Sequence, residues 1–108
     1  MEMYDAINAL TALSHATRLA AYRLLVEAGD DGRFAGDIAD ALSVPNATLS
    51  FHLKELTHAG LVSSESEGRN VRYRANYVAM NDLLAYLTHN CCAASRSESC
   101  PSDAQKSC

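Results

Sequence analysis

The 108-residue chain lacks long apolar runs, and its first ninety residues contain no cysteine. No stretch is long enough to span a bilayer, and no charged start precedes an apolar signal core. We therefore expect one small, soluble, cytoplasmic domain without a membrane partner. The chain also lacks a glycine-rich phosphate loop and a recognisable order of nucleophile and base, so the sequence predicts no enzymatic activity.

An excess of positive charge is missing too, because the formal net charge is −4. Duplex DNA repels an acidic body, which argues against DNA binding over the whole surface. The acid is concentrated in residues 1–44, where three Arg oppose seven Asp or Glu, a net charge of −4. Residues 45–75 carry four basic and three acidic side chains, a net charge of +1. The middle of the chain therefore permits DNA binding but does not establish it.

All four cysteines lie in the last 18 residues, at Cys91, Cys92, Cys100 and Cys108. A disulfide framework would spread cysteines through the domain, and nothing in the sequence indicates secretion. Clustered thiols on a polar segment point instead to a bound metal or metalloid, or to redox sensing. We expect a folded domain over residues 1–90 and a flexible Cys-rich tail over residues 91–108.

Apolar spacing predicts two helices in the first part of the chain. Residues 3–13 form a short amphipathic helix with apolar side chains at steps of three and four. These side chains are Met3, Ile7, Leu10 and Leu13, with Ala6 beside them. Ser14 is the predicted N-cap of a second helix over residues 15–28. Its inward residues are Leu19, Tyr22, Leu25 and Val26, and its outward residues are Arg18 and Arg23.

A helix-turn-helix is predicted next. Residues 34–42 form a short helix, Pro45 prevents its continuation, and Asn46 caps the helix that follows. Leucines at positions 49, 53 and 56 give this following helix a narrow apolar stripe. The opposite face carries small, hydroxyl and basic side chains and one aromatic, Phe51, which fits a helix that enters a DNA groove. An ordinary surface helix with one stray aromatic is the alternative.

A β-hairpin and a last helix complete the domain. Residues 61–65 and 71–75 are the predicted strands, and the second strand alternates apolar and basic residues so that Arg72 and Arg74 share a face. Either these arginines lie on a solvated hairpin face, or the hairpin is a wing that holds the DNA backbone or minor groove. The last helix starts at Asn76 or Asn81 and runs to about residue 90.

Five segments occur in a familiar order and spacing. They are Leu13–Leu19, Asp37–Ala39, Leu49–Leu56, Ala59–Val62, and Glu67–Arg69 followed by Tyr73–Arg74. Over residues 4–90 the chain thereby resembles the ArsR/SmtB family of metal-sensing winged-helix repressors. The resemblance implies an α+β, mostly α fold: a winged helix-turn-helix of five helices with a two-stranded β-hairpin wing. It also implies a homodimer formed through the first and last helices.

The resemblance further implies a repressor that leaves its operator DNA when a metal binds. The Cys-x-Cys sensor of many arsenic-responsive members is absent, because Phe34 and Gly36 stand at the matching positions. Zinc sensors of the family use Asp and His on the last helix, but here Asp82 and His89 lack companions.

Family members resembling this chain sense arsenite through a vicinal cysteine pair and a third, downstream cysteine. The implied ligands of As(III), or of Sb(III), are Cys91, Cys92 and Cys100, with Cys108 as the rival third ligand. The expected function is repression of an arsenic-resistance type operon. Zinc, cadmium or another soft metal, or thiol redox chemistry, remains the alternative signal.

The DNA-contact residues follow from the same helix and hairpin. Asn46, Ala47, Ser50 and Phe51 match the base-reading face of the family, and Phe51, which cannot donate a hydrogen bond, is expected to contact a thymine methyl. Phosphate contacts are expected from four basic residues. The full set of candidates is Asn46, Ala47, Thr48, Ser50, Phe51, His52, Lys54, Arg69, Arg72 and Arg74. His52 lies at the edge of the apolar stripe, so it either contacts DNA or packs beneath the helix.

Overall fold

The computed structural model describes residues 1–94 and contains five α-helices and three β-strands within them. In chain order these are α1 (Met3–Leu13), α2 (Ala16–Ala28), a 3-10 turn (Gly29–Asp31), β1 (Arg33–Phe34), α3 (Ala35–Leu42), α4 (Asn46–His58), β2 (Val62–Glu67), β3 (Asn70–Ala75) and α5 (Tyr77–Leu87). The predicted winged helix-turn-helix architecture is confirmed. No helix among residues 1–94 is both long and apolar enough to cross a bilayer.

Helix starts differ in detail from the predicted caps. The N-cap of α2 is His15, whose Nδ1 accepts the backbone N–H of Thr17 at 3.1 Å, so the assignment of Ser14 is wrong. The N-cap of α4 is Pro45, and Asn46 is the first helical residue. An imidazole nitrogen can accept a hydrogen bond as a serine oxygen does, so His15 can serve as the N-cap in place of Ser14.

The start of α5 is one of the two predicted alternatives. Asn76 caps this helix through its Oδ1, which accepts the backbone N–H of Ala79 at 3.2 Å. The helix ends at Leu87, earlier than predicted, and turns follow to Ala94. The division of the chain at residue 90 stays a prediction, because residues 95–108 lie outside the described part.

The hairpin belongs to a three-stranded antiparallel sheet in the order β1-β3-β2. Strand β2 pairs with β3 from Val62 opposite Ala75 to Glu67 opposite Asn70, and this hairpin is the predicted wing. The additional strand, β1, is only two residues long and pairs Phe34 with Arg72. Phe34 was predicted to begin a helix, but it is extended and precedes α3. A two-residue strand has no periodicity for a sequence pattern to reveal.

The core forms where α2, α3, α4 and the base of the sheet meet. Its largest fully buried side chains are Leu25, Ile38, Leu49, Leu53, Leu56 and Leu61. The leucine stripe of α4 therefore faces inward as predicted. Burial of these leucines sets the orientation of α4 about its own axis. The residues on the opposite face of the helix are therefore the ones that a partner can contact.

Helix α1 packs its small side and exposes its large one. Ala6, Ala9 and Ala12 are buried, whereas Ile7 and Leu10 of the predicted apolar stripe remain about half exposed. Helix α5 is similar, because it buries only Leu83 and leaves Val78, Leu84 and Leu87 exposed; with Met3, Tyr4, Ile7 and Leu10 these define the α1–α5 apolar face. Exposed apolar surface on two helices of a small domain marks an interaction site.

The inward side of α2 also differs from the prediction. Leu19 is 47% exposed, and Arg18, predicted to point outward, is partly buried and donates its Nε to the Ala12 carbonyl at 2.8 Å. The guanidinium satisfies a carbonyl at the end of α1 that would otherwise lack a helical partner. Arg18 therefore joins α1 to α2 and does not belong to the solvated face.

Candidate nucleic-acid interface

Helix α4 presents one exposed face along its first two turns. Its exposed residues there are Asn46, Ala47, Thr48, Ser50, Phe51 and Lys54. Phe51 is 58% exposed. Full burial of a phenylalanine side chain would contribute about 1.5–3 kcal/mol relative to its exposure to water. Short polar groups flank the ring, and Lys54 supplies a cation one turn later. This face can offer hydrogen bonds, one apolar contact and a phosphate contact to the major groove of DNA.

His52 does not lie on that face. It is only 7% exposed and is the one buried polar or charged residue among residues 1–94. Its Nδ1 is 3.3 Å from an Nη of Arg18, and its ring centroid is 4.4 Å from that of His15. Of the two alternatives for His52, the structure supports packing beneath the helix and corrects its inclusion among the DNA contacts.

The wing carries one exposed arginine at its tip and two that are engaged near its base. Arg69 is exposed in the turn between β2 and β3. Arg72 donates Nε and Nη2 to the two carboxylate oxygens of Glu67 at 2.8 and 3.1 Å, and Nη1 to the Asp31 carbonyl at 2.6 Å. Its guanidinium carbon also lies 4.2 Å from the centroid of the Phe34 ring. Arg72 thus makes a bidentate ion pair and a cation–π contact within the chain.

Arg74 is engaged in the same way, two residues further along β3. It donates Nε to the Asp30 carbonyl at 2.8 Å and Nη1 to a carboxylate oxygen of Glu65 at 2.7 Å. Both arginines therefore attach the 3-10 turn after α2 to the wing. Their predicted phosphate contacts stay predictions. To bind a phosphate, Arg72 or Arg74 would have to give up, or share its donors with, the carboxylate and carbonyl groups that it already contacts. Arg69 and Lys54, which make no ion pair within residues 1–94, carry no such cost.

The Glu67–Arg72 pair has a consequence for protonation. The hydrogen bond from Arg72 lowers the pKa of the Glu67 carboxyl, and the same bond raises the pKa of the Arg72 guanidinium. Both groups are accordingly charged at neutral pH, and the wing remains close to neutral where the two are paired. The alternating Arg pattern of β3 did not reveal this, because the pairing depends on the register of β2 against β3.

Two of the four candidate sensor cysteines, Cys91 and Cys92, lie within residues 1–94. Cys91 and Cys92 are exposed in the turns after α5, and their sulfurs are 3.5 Å apart. Cys92 has a positive φ of 63°, which is uncommon for a residue other than glycine. Cys100 and Cys108 lie outside the described residues. Within residues 1–94, no three His, Cys, Asp or Glu side chains are grouped as metal ligands.

Comparisons with known proteins agree with this arrangement. A helix-turn-helix domain model matches residues 13–65. The chain is 38% identical over 90 residues to the HTH-type transcriptional repressor SmtB of Mycobacterium tuberculosis, covering 82% of this chain and 64% of the relative. It is 30% identical over 80 residues to the transcriptional repressor SdpR of Bacillus subtilis, covering 74% of this chain and 86% of that protein.

A solved structure gives the same picture in three dimensions. The fold superposes on that of an ArsR-like transcriptional regulator from Rhodococcus sp. RHA1 with a TM-score of 0.70 and 30% identity. The superposition covers 86% of this chain and 85% of that one. The chain spans 64% of the length of the M. tuberculosis repressor. The five helices, the winged sheet and these matches show that the chain belongs to the ArsR/SmtB family of winged-helix regulators.

Proposed function

We propose that this chain is a homodimeric, DNA-binding transcriptional repressor that leaves its operator when As(III) or Sb(III) binds its C-terminal thiolates. The observation that supports the sensing part is the position of Cys91 and Cys92, with sulfurs 3.5 Å apart, just after a helix of the α1–α5 apolar face. A ligand bound there acts next to the surface through which two subunits would meet. The SmtB and SdpR relatives named as repressors support the transcriptional part.

DNA binding is assigned to α4 and the wing. Asn46, Ala47, Thr48, Ser50 and Phe51 would meet base edges, because they form the exposed face at the start of α4. Lys54 and Arg69 are the favoured phosphate contacts, since both are exposed. Arg72 and Arg74 would contribute less, because their donors already serve Glu67, Glu65 and two backbone carbonyls.

Dimerisation is assigned to the α1–α5 apolar face. A two-fold interface uses the same patch on both subunits, so one face must be complementary to itself. Two neighbouring helices suit that requirement, because both leave large apolar side chains exposed and α1 packs its alanines inward. The two copies of α4 would then read half-sites about one helical turn of DNA apart.

The donor chemistry supports a soft, trivalent ligand. Arsenite takes three thiolates in a pyramid, and soft ions prefer thiolate to oxygen. Cys91 and Cys92 supply two ligands. Cys100, separated from Cys92 by seven residues, is the proposed third, and Cys108 remains its rival. The difference in loop-closure entropy is only about 0.6 kcal/mol per doubling of length, so sequence separation alone favours Cys100 weakly.

A gel-shift titration of reduced protein tests the assignment. Operator DNA bound by the wild type should be released by arsenite, whereas Cys91→Ser and Cys92→Ser proteins should remain bound at that concentration. Comparing Cys100→Ser with Cys108→Ser identifies the third ligand, because only one should lose the response. The site assignment is wrong if both Cys91→Ser and Cys92→Ser leave the operator at the wild-type arsenite concentration.

A thiol-redox signal is the second candidate, and one observation favours it. The sulfurs of Cys91 and Cys92 are 3.5 Å apart, and neighbouring thiols are the groups that an oxidant can join as a disulfide. A disulfide and a metalloid site exclude each other at the same sulfur, because only the thiolate is a ligand. Operator release by a mild oxidant, reversed by a thiol reductant and unaffected by arsenite, would support this candidate over the first.

A further inference from the structure

His52 is the point where the DNA-reading helix is attached to the α1–α2 junction. It projects from the buried side of α4 between Leu49 and Leu53, which are themselves fully packed. Arg18 bridges from His52 to the last turn of α1, with 3.3 Å to the His52 Nδ1 and 2.8 Å to the Ala12 carbonyl. One guanidinium therefore joins three helices, and its hydrogen bond to α4 is made to the imidazole.

Hydrogen-bond chemistry fixes the form of that imidazole. Arginine has five donors and no acceptor, so the His52 Nδ1 facing it must accept. That nitrogen therefore carries no proton, and the neutral ring holds its proton on Nε2. A protonated ring would direct an N–H at the guanidinium, which would replace a hydrogen bond by the repulsion of two like charges.

The surroundings of His52 oppose its protonation. Burial, then His15, then Arg18 lower the pKa of His52 from its ordinary value near 6.5, and Glu55 on the same helix acts in the opposite direction. Among the described residues, His15, Arg18 and Glu55 are the charged or titratable groups that act on His52. From α1, the carbonyl of Ala12 accepts the Nε–H of Arg18.

We propose that His52 is a positioning residue for operator binding: in its neutral form it holds α4 against Arg18, and in its protonated form it releases α4, so that acidification weakens DNA binding. The proposal rests on the proposed function, because it concerns the presentation of α4 to DNA. It adds a proton response that is separate from the cysteines, which lie 39 or more residues further along the chain.

The direction of the effect follows from linkage. Because the native pKa of His52 lies below its ordinary value, the neutral contact is complete above pH 6.5 and is lost as the pH falls through the native pKa. One proton excluded by the DNA-bound form weakens binding by at most about tenfold per pH unit below that pKa. Reciprocally, DNA must lower the pKa of His52 further.

The experiment measures binding and titration on the full chain. A duplex selected by the protein from a random-sequence library serves as probe, and fluorescence anisotropy gives Kd at pH 7.5, 6.5, 5.5 and 5.0 at constant ionic strength. Wild-type Kd should rise as the pH falls from 7.5 to 5.0, by up to about tenfold for each pH unit below the native pKa of His52. His52→Gln, whose amide oxygen can accept from Arg18 but does not titrate, should change less than about threefold.

A matched control and a second measurement complete the test. His58→Gln removes an exposed histidine from the same helix and should keep the wild-type pH profile. Nitrogen NMR of the imidazole rings should show the Nε2–H tautomer of His52 in wild-type protein, and a lower pKa with DNA than without; this holds even if His52→Gln does not fold. An unchanged pKa on DNA binding, or a protonated Nδ1 at pH 7.5, overturns the proposal. Failure to select any sequence would instead refute the proposed function.

Discussion

The α1–α5 apolar face gives a quantitative prediction for Leu84→Ala. Leu84 is 54% exposed, so about half of its apolar surface remains to be buried by a partner. Complete burial of a leucine contributes about 1.5–3 kcal/mol, and half of that is about 1 kcal/mol for each subunit. A two-fold interface contains the residue twice, so the substitution should weaken dimerisation by about 2 kcal/mol, or about 30-fold in the dimer Kd.

Sedimentation equilibrium over a range of protein concentrations measures that constant. Phe51→Ala is the matched control, because it removes an equally exposed apolar side chain from the DNA-reading helix α4. Leu84→Ala should shift the monomer–dimer equilibrium and Phe51→Ala should not, and both substitutions should leave the helical circular dichroism signal unchanged. An equal effect of the two substitutions, or a shift below about threefold for Leu84→Ala, would refute the assignment of this face.

Three further predictions concern the protomer. Gly32→Ala should lower the free energy of unfolding in urea by at least about 1 kcal/mol, because Gly32 has φ +63° and an added Cβ would collide with the Tyr73 carbonyl. Leu53→Ala should cost about 2–5 kcal/mol in the same assay, since Leu53 is completely buried. Arg72→Gln should raise the pKa of Glu67 toward its ordinary value of 4.5, measured by NMR titration of the carboxyl carbon.

Helices with strong periodicity were predictable, and their orientations were less so. The leucine stripe of α4 identified its buried side correctly, because three leucines lie on one face. In α1 the same argument selected Met3, Ile7 and Leu10, which remain exposed, whereas Ala9 and Ala12 are buried beside the predicted Ala6. A hydrophobic pattern identifies an apolar face of a helix. It does not tell whether the core of the same subunit or a second subunit covers that face.

The candidate interface was predictable as a surface and not as a set of contacts. The exposed face of α4 follows from the sequence once its buried stripe is known. The roles of Arg72 and of His52 do not, because they depend on partners distant in the chain: Asp31 is 41 residues from Arg72, and Arg18 is 34 residues from His52. Long-range hydrogen bonds of charged side chains have no periodic signal.

The internal attachment of α4 bears on how a ligand at the cysteines could act. Four residues of α4 are buried, and packed interiors rearrange between discrete states and do not deform continuously. Tyr77, the first residue of α5, donates its hydroxyl to the Val26 carbonyl of α2 at 3.0 Å, so α5 is attached to the same helix that carries Arg18. With both helices fixed to α2, a ligand bound by the cysteines after α5 has little means of rotating α4 within its own subunit. The larger freedom is the angle between two subunits across the α1–α5 apolar face, and a change there would displace the two copies of α4 from half-sites one turn apart. Arsenite should therefore abolish specific binding to a two-site operator while leaving the weak binding of the chain to an isolated half-site almost unchanged.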